Sequence, residues 1–261
     1  MYAFMQPIQI TFGALLLAHL LGDFPLQMQW IARNKGERLW PLICHGVTHY
    51  ILAWTCLLIF AQIQFLSIFS QVVIIGYLAV HLTIDKLKHN LIARKKLLDN
   101  WKTFLLDQSL HVIVLTIGAV ALTGSGLSGL IYSIRLSPLT KTHILELAII
   151  YVGVVFGGGY LIRYLTKGLA DDNDVEAPAQ LENAGLYVGW IERFLIITAI
   201  AMQSPILVGL ILTGKSIARF PEFKEARFAE YFLVGTLLSV SLSVLGGILL
   251  LQLLYGTVSL K

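Results

Sequence analysis

Four pairs of residues with metal-ligating side chains recur at a four-residue step: His19 with Asp23, His45 with His49, His81 with Asp85 (continued by His89), and Asp107 with His111. Six of the seven histidines fall in this pattern. A four-residue step sets two side chains on one helix face, a turn apart. Each pair stands near the end of a long apolar stretch, where an ionisable group is costly without a partner. One shared metal site satisfies all of them. Interhelical hydrogen bonds from histidine to aspartate are the plainer alternative for any single pair.

The donors are imidazole and carboxylate, with no thiolate. That set favours zinc, with manganese or iron also suitable, over Cu(I) or an iron–sulfur cluster. The candidate ligands are His19, His45, His49, His81, Asp85 and His111, and the candidate general bases are Asp23 and Asp107. So many donors exceed one tetrahedral shell. Either two ions bind, or some of the residues orient the others. His89 falls nearest the membrane edge, where water can solvate it.

The elements that must position these pairs are apolar helices. The chain of 261 residues is 57% hydrophobic and 13% charged, against about a quarter charged in a soluble domain, and its mean hydropathy is +0.77. An all-α polytopic bundle follows, with about eight transmembrane helices at 7–26, 41–60, 68–88, 105–124, 143–164, 184–203, 205–219 and 229–254. Seven are expected if the sixth and seventh form one broken helix, but Gln203-Ser204-Pro205 offers a turn that proline cannot continue helically. The first four helices (1–124) form the unit that carries the His/Asp cluster. The remainder (125–261) carries Glu192, Lys215, Arg219 and Glu230. The first nine residues lack a basic region, which argues against a cleaved signal peptide.

Orientation follows from the basic residues. With the N-terminus outside, fifteen lysines and arginines fall in cytoplasmic loops and three outside. Both termini are therefore expected outside, as in a multi-pass protein of a bacterial inner membrane. All four pairs then share one depth, in the cytoplasmic half. Residues 27–40 and 89–101 read as interfacial segments, the first with Trp30 and Trp40 at headgroup level. The acidic stretch Ala170 to Glu182 reads as a solvated loop. Cys44 and Cys56 fall on one helix, roughly 18 Å apart, too far to bridge.

In the second half, Glu192, Lys215 and Arg219 are candidates to hold a phosphate or carboxylate at similar depth. Pairing of Glu192 with Lys215 is the plainer alternative. His143 and Glu146 decorate an outer helix end. Gly157-Gly158-Gly159 reads as a close helix crossing, since no strand precedes it as in a phosphate loop.

The segments LLLAHLLGDFPLQ (15–27), ICHGVTHY (43–50), HLTIDKLKH (81–89) and FLLDQSLH (104–111) resemble the signature segments of an uncharacterised family of bacterial membrane proteins, a domain of unknown function. NAGLYVGWIERF (183–194), GKSIARF (214–220) and AEYFLVGTLLS (229–239) resemble the C-terminal half of its longer members. ICHGVTHY and HLTIDKLKH are also similar to inner-membrane metal-dependent hydrolases, among them a LexA-regulated member. That likeness implies a metal role for His45, His49, His81 and Asp85. The chain lacks that group's proline-aspartate-rich segment, although GDFPLQ (22–27) stands nearby.

Three functions fit this pattern. The first is an intramembrane hydrolase whose metal activates water, acting on a lipid or isoprenoid phosphate from the inner leaflet. The second is a carrier coupled to a metal ion or protons, and the third a metal-stapled structural subunit. Carriers bind near the midplane with polar groups leading to both sides. Here the outer halves are almost purely apolar, which favours a one-sided site. The bilayer is the expected partner. The net charge of +4 follows the membrane loops and does not signal nucleic acid.

Overall fold

A computed structural model describes residues 8–63, 67–124, 141–167, 184–224 and 226–256. The expected acidic loop, the outer-loop Arg135 and both chain ends lie outside them. The described residues form helices and no strand. Five helical stretches of 23 to 28 residues are long and apolar enough to cross a membrane: Leu39–Ala61, Ile68–Ala93, Trp101–Thr123, Thr142–Thr166 and Phe228–Tyr255. Ile8–Asp23 and Ile206–Ala218 are shorter apolar helices. The outward faces are apolar too. On Ile68–Ala93, for example, Ile68, Val72 and Ile75 are more than half exposed. Such faces suit hydrocarbon rather than water. The chain divides into two compact units, Met1–Ile149 and Ile150–Lys261.

In the first unit, α1 (Ile8–Asp23) is followed by the short α2 (Gln29–Asn34), α3 (Leu39–Cys56), α4 (Ile68–Ala93) and α5 (Trp101–Thr123). Helix α3 runs on through a π turn, Leu57–Ala61, and stops at Gln62, whose φ is 53°. Ser67 caps α4 through its side chain, and the Asn100 side chain accepts from the amides of Lys102 and Thr103 to start α5. Gly124 ends α5 with φ 63°, a conformation glycine adopts without strain. Helix α1 packs on α3 and α5, and α4 packs on the same two. The four helices thus close a ring, and the His/Asp faces line its inside.

Two boundaries differ from expectation in ways that matter. The first helix stops at Asp23 rather than near residue 26. Pro25 has no amide hydrogen to donate and disfavours helix at Phe24, so the chain turns, with the Leu26 amide donating to the Leu21 carbonyl at 3.0 Å. The third expected span runs past 88 to Ala93, which sets Asp85 about 12 Å inside the helix end at 1.5 Å per residue. Helix α1 is therefore too short to fill the end of the ring at which Asp23 lies. Helix α2 packs on α3 instead.

In the second unit, a π turn at Gly153–Gly157 joins the end of α6 (Lys141–Val152) to α7 (Gly158–Thr166). Helices α8 (Ala184–Ala201), α9 (Ile206–Ala218) and α10 (Ala226–Tyr255) follow. Helix α8 packs on α9 and α10 around Ile196, Ile200 and Leu251. The break between α8 and α9 falls at Gln203, with φ 56°, before Pro205.

Candidate metal centre

Each ring helix contributes one pair. Helix α1 brings His19 and Asp23, α3 His45 and His49, α4 His81 and Asp85, and α5 Asp107 and His111. All eight are buried, none more than 8% exposed. Two carboxylates organise the imidazoles. Asp23 Oδ1 lies 3.1 Å from His49 Nε2, 3.3 Å from His45 Nε2 and 3.8 Å from His81 Nε2, and its Oδ2 lies 3.7 Å from His19 Nε2. Asp85 Oδ2 lies 3.1 Å from His45 Nε2 and 3.8 Å from His81 Nε2, and Oδ1 lies 4.0 Å from His111 Nε2. The Nε2 atoms of His45 and His81 face each other at 3.3 Å.

Three overlapping groups could hold an ion: His19, Asp23, His49 and His81; Asp23, His45, His81 and Asp85; and Asp85, Asp107 and His111. Within each group the donor atoms lie within 4.8 Å of one another. In a tetrahedral shell, bonds of about 2.1 Å set the ligand atoms about 3.4 Å apart, so side-chain rotations that draw the donors inward close the gap. The structure therefore brings every expected ligand together and adds both expected bases, Asp23 to two of the three sets and Asp107 to the third. His89 belongs to no set and is half-buried.

The hydrogen bonding suits coordination. His111 Nδ1 is 2.9 Å from the Asp107 carbonyl and donates to it, which leaves Nε2 with its lone pair and no partner. A metal-bound histidine is held in this way by its other nitrogen. Nδ1 of His19, His49 and His81 is buried without a partner, so these rings turn Nε2 inward with no bond fixing them from behind. Gln108 links two pairs: its Nε2 donates to Asp107 Oδ2 at 3.2 Å, and His19 Nε2 lies 3.3 Å from its Oε1.

Several participants were not legible at the sequence level. Lys35, expected in a cytoplasmic loop, is 8% exposed, and its Nζ donates to Asp85 Oδ2 at 2.7 Å. The same Nζ is 3.3 Å from His45 Nε2. Turned so that its oxygen faces Lys35, the Gln27 amide accepts from Nζ at 2.8 Å and donates to the Asp23 carbonyl at 3.3 Å. Lys88 pairs with Asp107 at 2.8 Å. Gly22 makes room for a ligand, because a Cβ there would stand 2.5 Å from His49 Nε2. Gly36 accommodates the His89 ring in the same manner. A glycine beside Asp23 is a weak signal, and nothing in the spacing marks Lys35.

In the second unit, Lys215 pairs with Glu192 at 2.6 Å, and its ammonium lies 5.2 Å from the centre of the Phe232 ring. That is the plainer of the two alternatives for this pair. Arg219 is half-buried at the end of α9, and Glu230 is exposed on α10. Arg193 has a different task. Its Nε and Nη2 both donate to the Val155 carbonyl, at 3.0 and 2.8 Å, within the π turn. A Cβ on Gly159 would stand 2.5 Å from Nη2, so this glycine admits a guanidinium.

Spans of this length point to a membrane protein, and its buried His/Asp groups could bind a metal. Residues 11–137 match the model of a family described as Protein of unknown function (DUF3307). The match takes in all eight site residues and the ring helices from Thr11 onward. No curated protein and no solved structure matches the chain.

Proposed function

We propose that the first unit is a divalent-metal centre opening to the cytoplasmic side of a bacterial inner membrane, and that it hydrolyses an anionic amphiphile. The supporting observation is the inward convergence of five Nε2 atoms on Asp23 and Asp85, with the His111 tautomer set by the Asp107 carbonyl. Five imidazoles and two shared carboxylates, all buried, cost too much to retain for hydrogen bonding alone. Zinc best fits the ligand chemistry. A bound zinc ion would acidify a water molecule and polarise the scissile group.

In this reading Asp23, at the hub, is a ligand. Asp107 stands at the edge of the sets, held by Lys88 and Gln108, and takes the proton from the attacking water. Both termini lie outside across eight spans, which puts the basic loops and the open end of the ring in the cytoplasm. Exposed Leu26, Met28 and Trp30 flank the turn and α2 above the site, and suit an amphiphile arriving along the inner leaflet. The likeness to metal-dependent hydrolases around His45, His49, His81 and Asp85 agrees with this.

One observation favours a second reading. Lys35, Asp85, His45, Asp23 and His49 form a continuous chain of ionisable groups, which a proton- or metal-coupled carrier would use. Turnover decides between them. Nanodisc-embedded protein is given isoprenoid phosphates and inner-leaflet phospholipids, with and without chelator. The hydrolase reading expects product that chelator abolishes and zinc restores. Absence of such turnover, together with cation flux in vesicles that His81→Ala abolishes, establishes the carrier.

A further inference from the structure

The charges around the ring do not balance once a metal ion is added. Asp23, Asp85 and Asp107 carry three negative charges, and Lys35 and Lys88 return two positive ones through their ion pairs. With neutral imidazoles the set holds one net negative charge. One divalent ion turns this into one positive charge, and a second ion raises it to three. Buried net charge is strongly disfavoured unless a counter-charge accompanies it. The loaded site therefore calls for an anion.

Lys35 is the group placed to meet it. Its ammonium has three hydrogens, directed at Asp85 Oδ2 (2.7 Å), at the Gln27 amide oxygen (2.8 Å) and at His45 Nε2 (3.3 Å). Asp85 and His45 both belong to one ligand set. An ion bound there takes the single Nε2 lone pair of His45, while the Asp85 carboxylate keeps acceptor sites for Lys35, so one of the three ammonium donors is left without an acceptor. That donor is then free for whatever binds the ion from the cytoplasmic end. Lys35 sits at the C-terminal end of α2, on the segment that closes that end. Lys215 cannot serve in this way, because its charge is matched by Glu192 at 2.6 Å.

We propose that Lys35 binds a phosphate oxyanion, the head of a phosphate monoester, held jointly by its ammonium and the metal. The proposal rests on the metal-centre reading above. Phosphate fits better than carboxylate because it brings about 1.5 to 2 negative charges and three acceptor oxygens. That is enough to balance one ion or most of the excess from two.

Inorganic phosphate is the first probe, measured by equilibrium dialysis against zinc-loaded protein in detergent, with metal content determined on the same samples. Lys35→Gln should keep wild-type metal content and bind phosphate about ten- to a hundredfold more weakly, the loss expected for one charge-assisted contact. Lys35→Arg, which retains the charge, should stay within a few-fold of wild type. Equal phosphate affinity in Lys35→Gln and wild type overturns the proposal while leaving the metal centre standing. Loss of metal from Lys35→Gln also overturns it, since the ammonium then serves the ligands. Wild-type protein without metal sinks both ideas. A second arm competes the bound phosphate with nanodiscs of phosphatidylcholine alone or with added phosphatidate. Displacement by the phosphatidate discs alone identifies a lipid-borne head as the source, and displacement by neither identifies a free phosphate ester.

Discussion

Lys35 Nζ donates to Asp85 Oδ2 at 2.7 Å, across fifty positions of sequence. The contact joins the end of a six-residue helix to a carboxylate shared by two candidate ligand sets. It exists because α1 stops early, at the turn before Pro25, and α2 takes up the space left over.

Asp23 and Asp107 should separate by role. Asp23→Asn removes the hub facing four imidazoles and should abolish metal retention. Asp107→Asn belongs to one set only and should keep the ion while lowering turnover about 10²- to 10⁴-fold, as loss of a general base does. Metal content and turnover measured on the same preparations check both. An Asp107→Asn protein with full activity removes that residue from the chemistry.

Two glycines test the packing beside the ligands. Gly22→Ala puts a methyl group 2.5 Å from His49 Nε2, which should displace the ring, lower metal affinity and destabilise by about 1–3 kcal/mol. Gly36→Ala presses on His89, which belongs to no ligand set. It should lower Tm without changing metal content. Equal metal loss in both variants would mean that general loosening, not displacement of His49, is responsible.

The i, i+4 pairs were readable because their spacing equals one helical turn and their residue types stand out against apolar sequence. The helices that carry them were readable from hydropathy for the same reason. What stayed hidden depended on three-dimensional closure. Lys35 looked like one of three ordinary basic residues in a loop, and only the early end of α1 brings it inside. Gly22 and Gln27 gain their importance from His49, His45 and Lys35, which are distant in sequence. The glycine run near 157–159 was legible as close packing, but its partner, the Arg193 guanidinium, was not.

Arg193 should be a structural residue of the second unit. Arg193→Ala leaves the Val155 carbonyl of the π turn without its two donors and should cost about 1–3 kcal/mol. Arg193→Lys should recover only part of that, since an ammonium lacks the planar fork. Thermal unfolding in detergent checks both. Full rescue by lysine would show that charge alone matters there.

Accessibility checks the orientation. With Cys44 and Cys56 replaced by serine, Lys96→Cys should react with a membrane-impermeant maleimide only after the inner face is opened. A cysteine appended after Lys261 should react from outside in intact cells. External labelling at position 96 would invert the topology, and with it the side on which the centre opens.

The central claim is that the ring holds a divalent ion. Elemental analysis of purified wild-type protein, and of a His45→Ala/His81→Ala double variant, tests it most directly. One or two zinc equivalents per chain are expected in the wild type and none in the variant. Chelator should lower the wild-type unfolding transition, because an ion bound only by the folded protein stabilises it by about 2.7 kcal/mol at a hundredfold excess over Kd. A wild-type chain that carries no divalent ion, takes none up, and unfolds identically with and without chelator would contradict the account and return the histidines to interhelical hydrogen bonding.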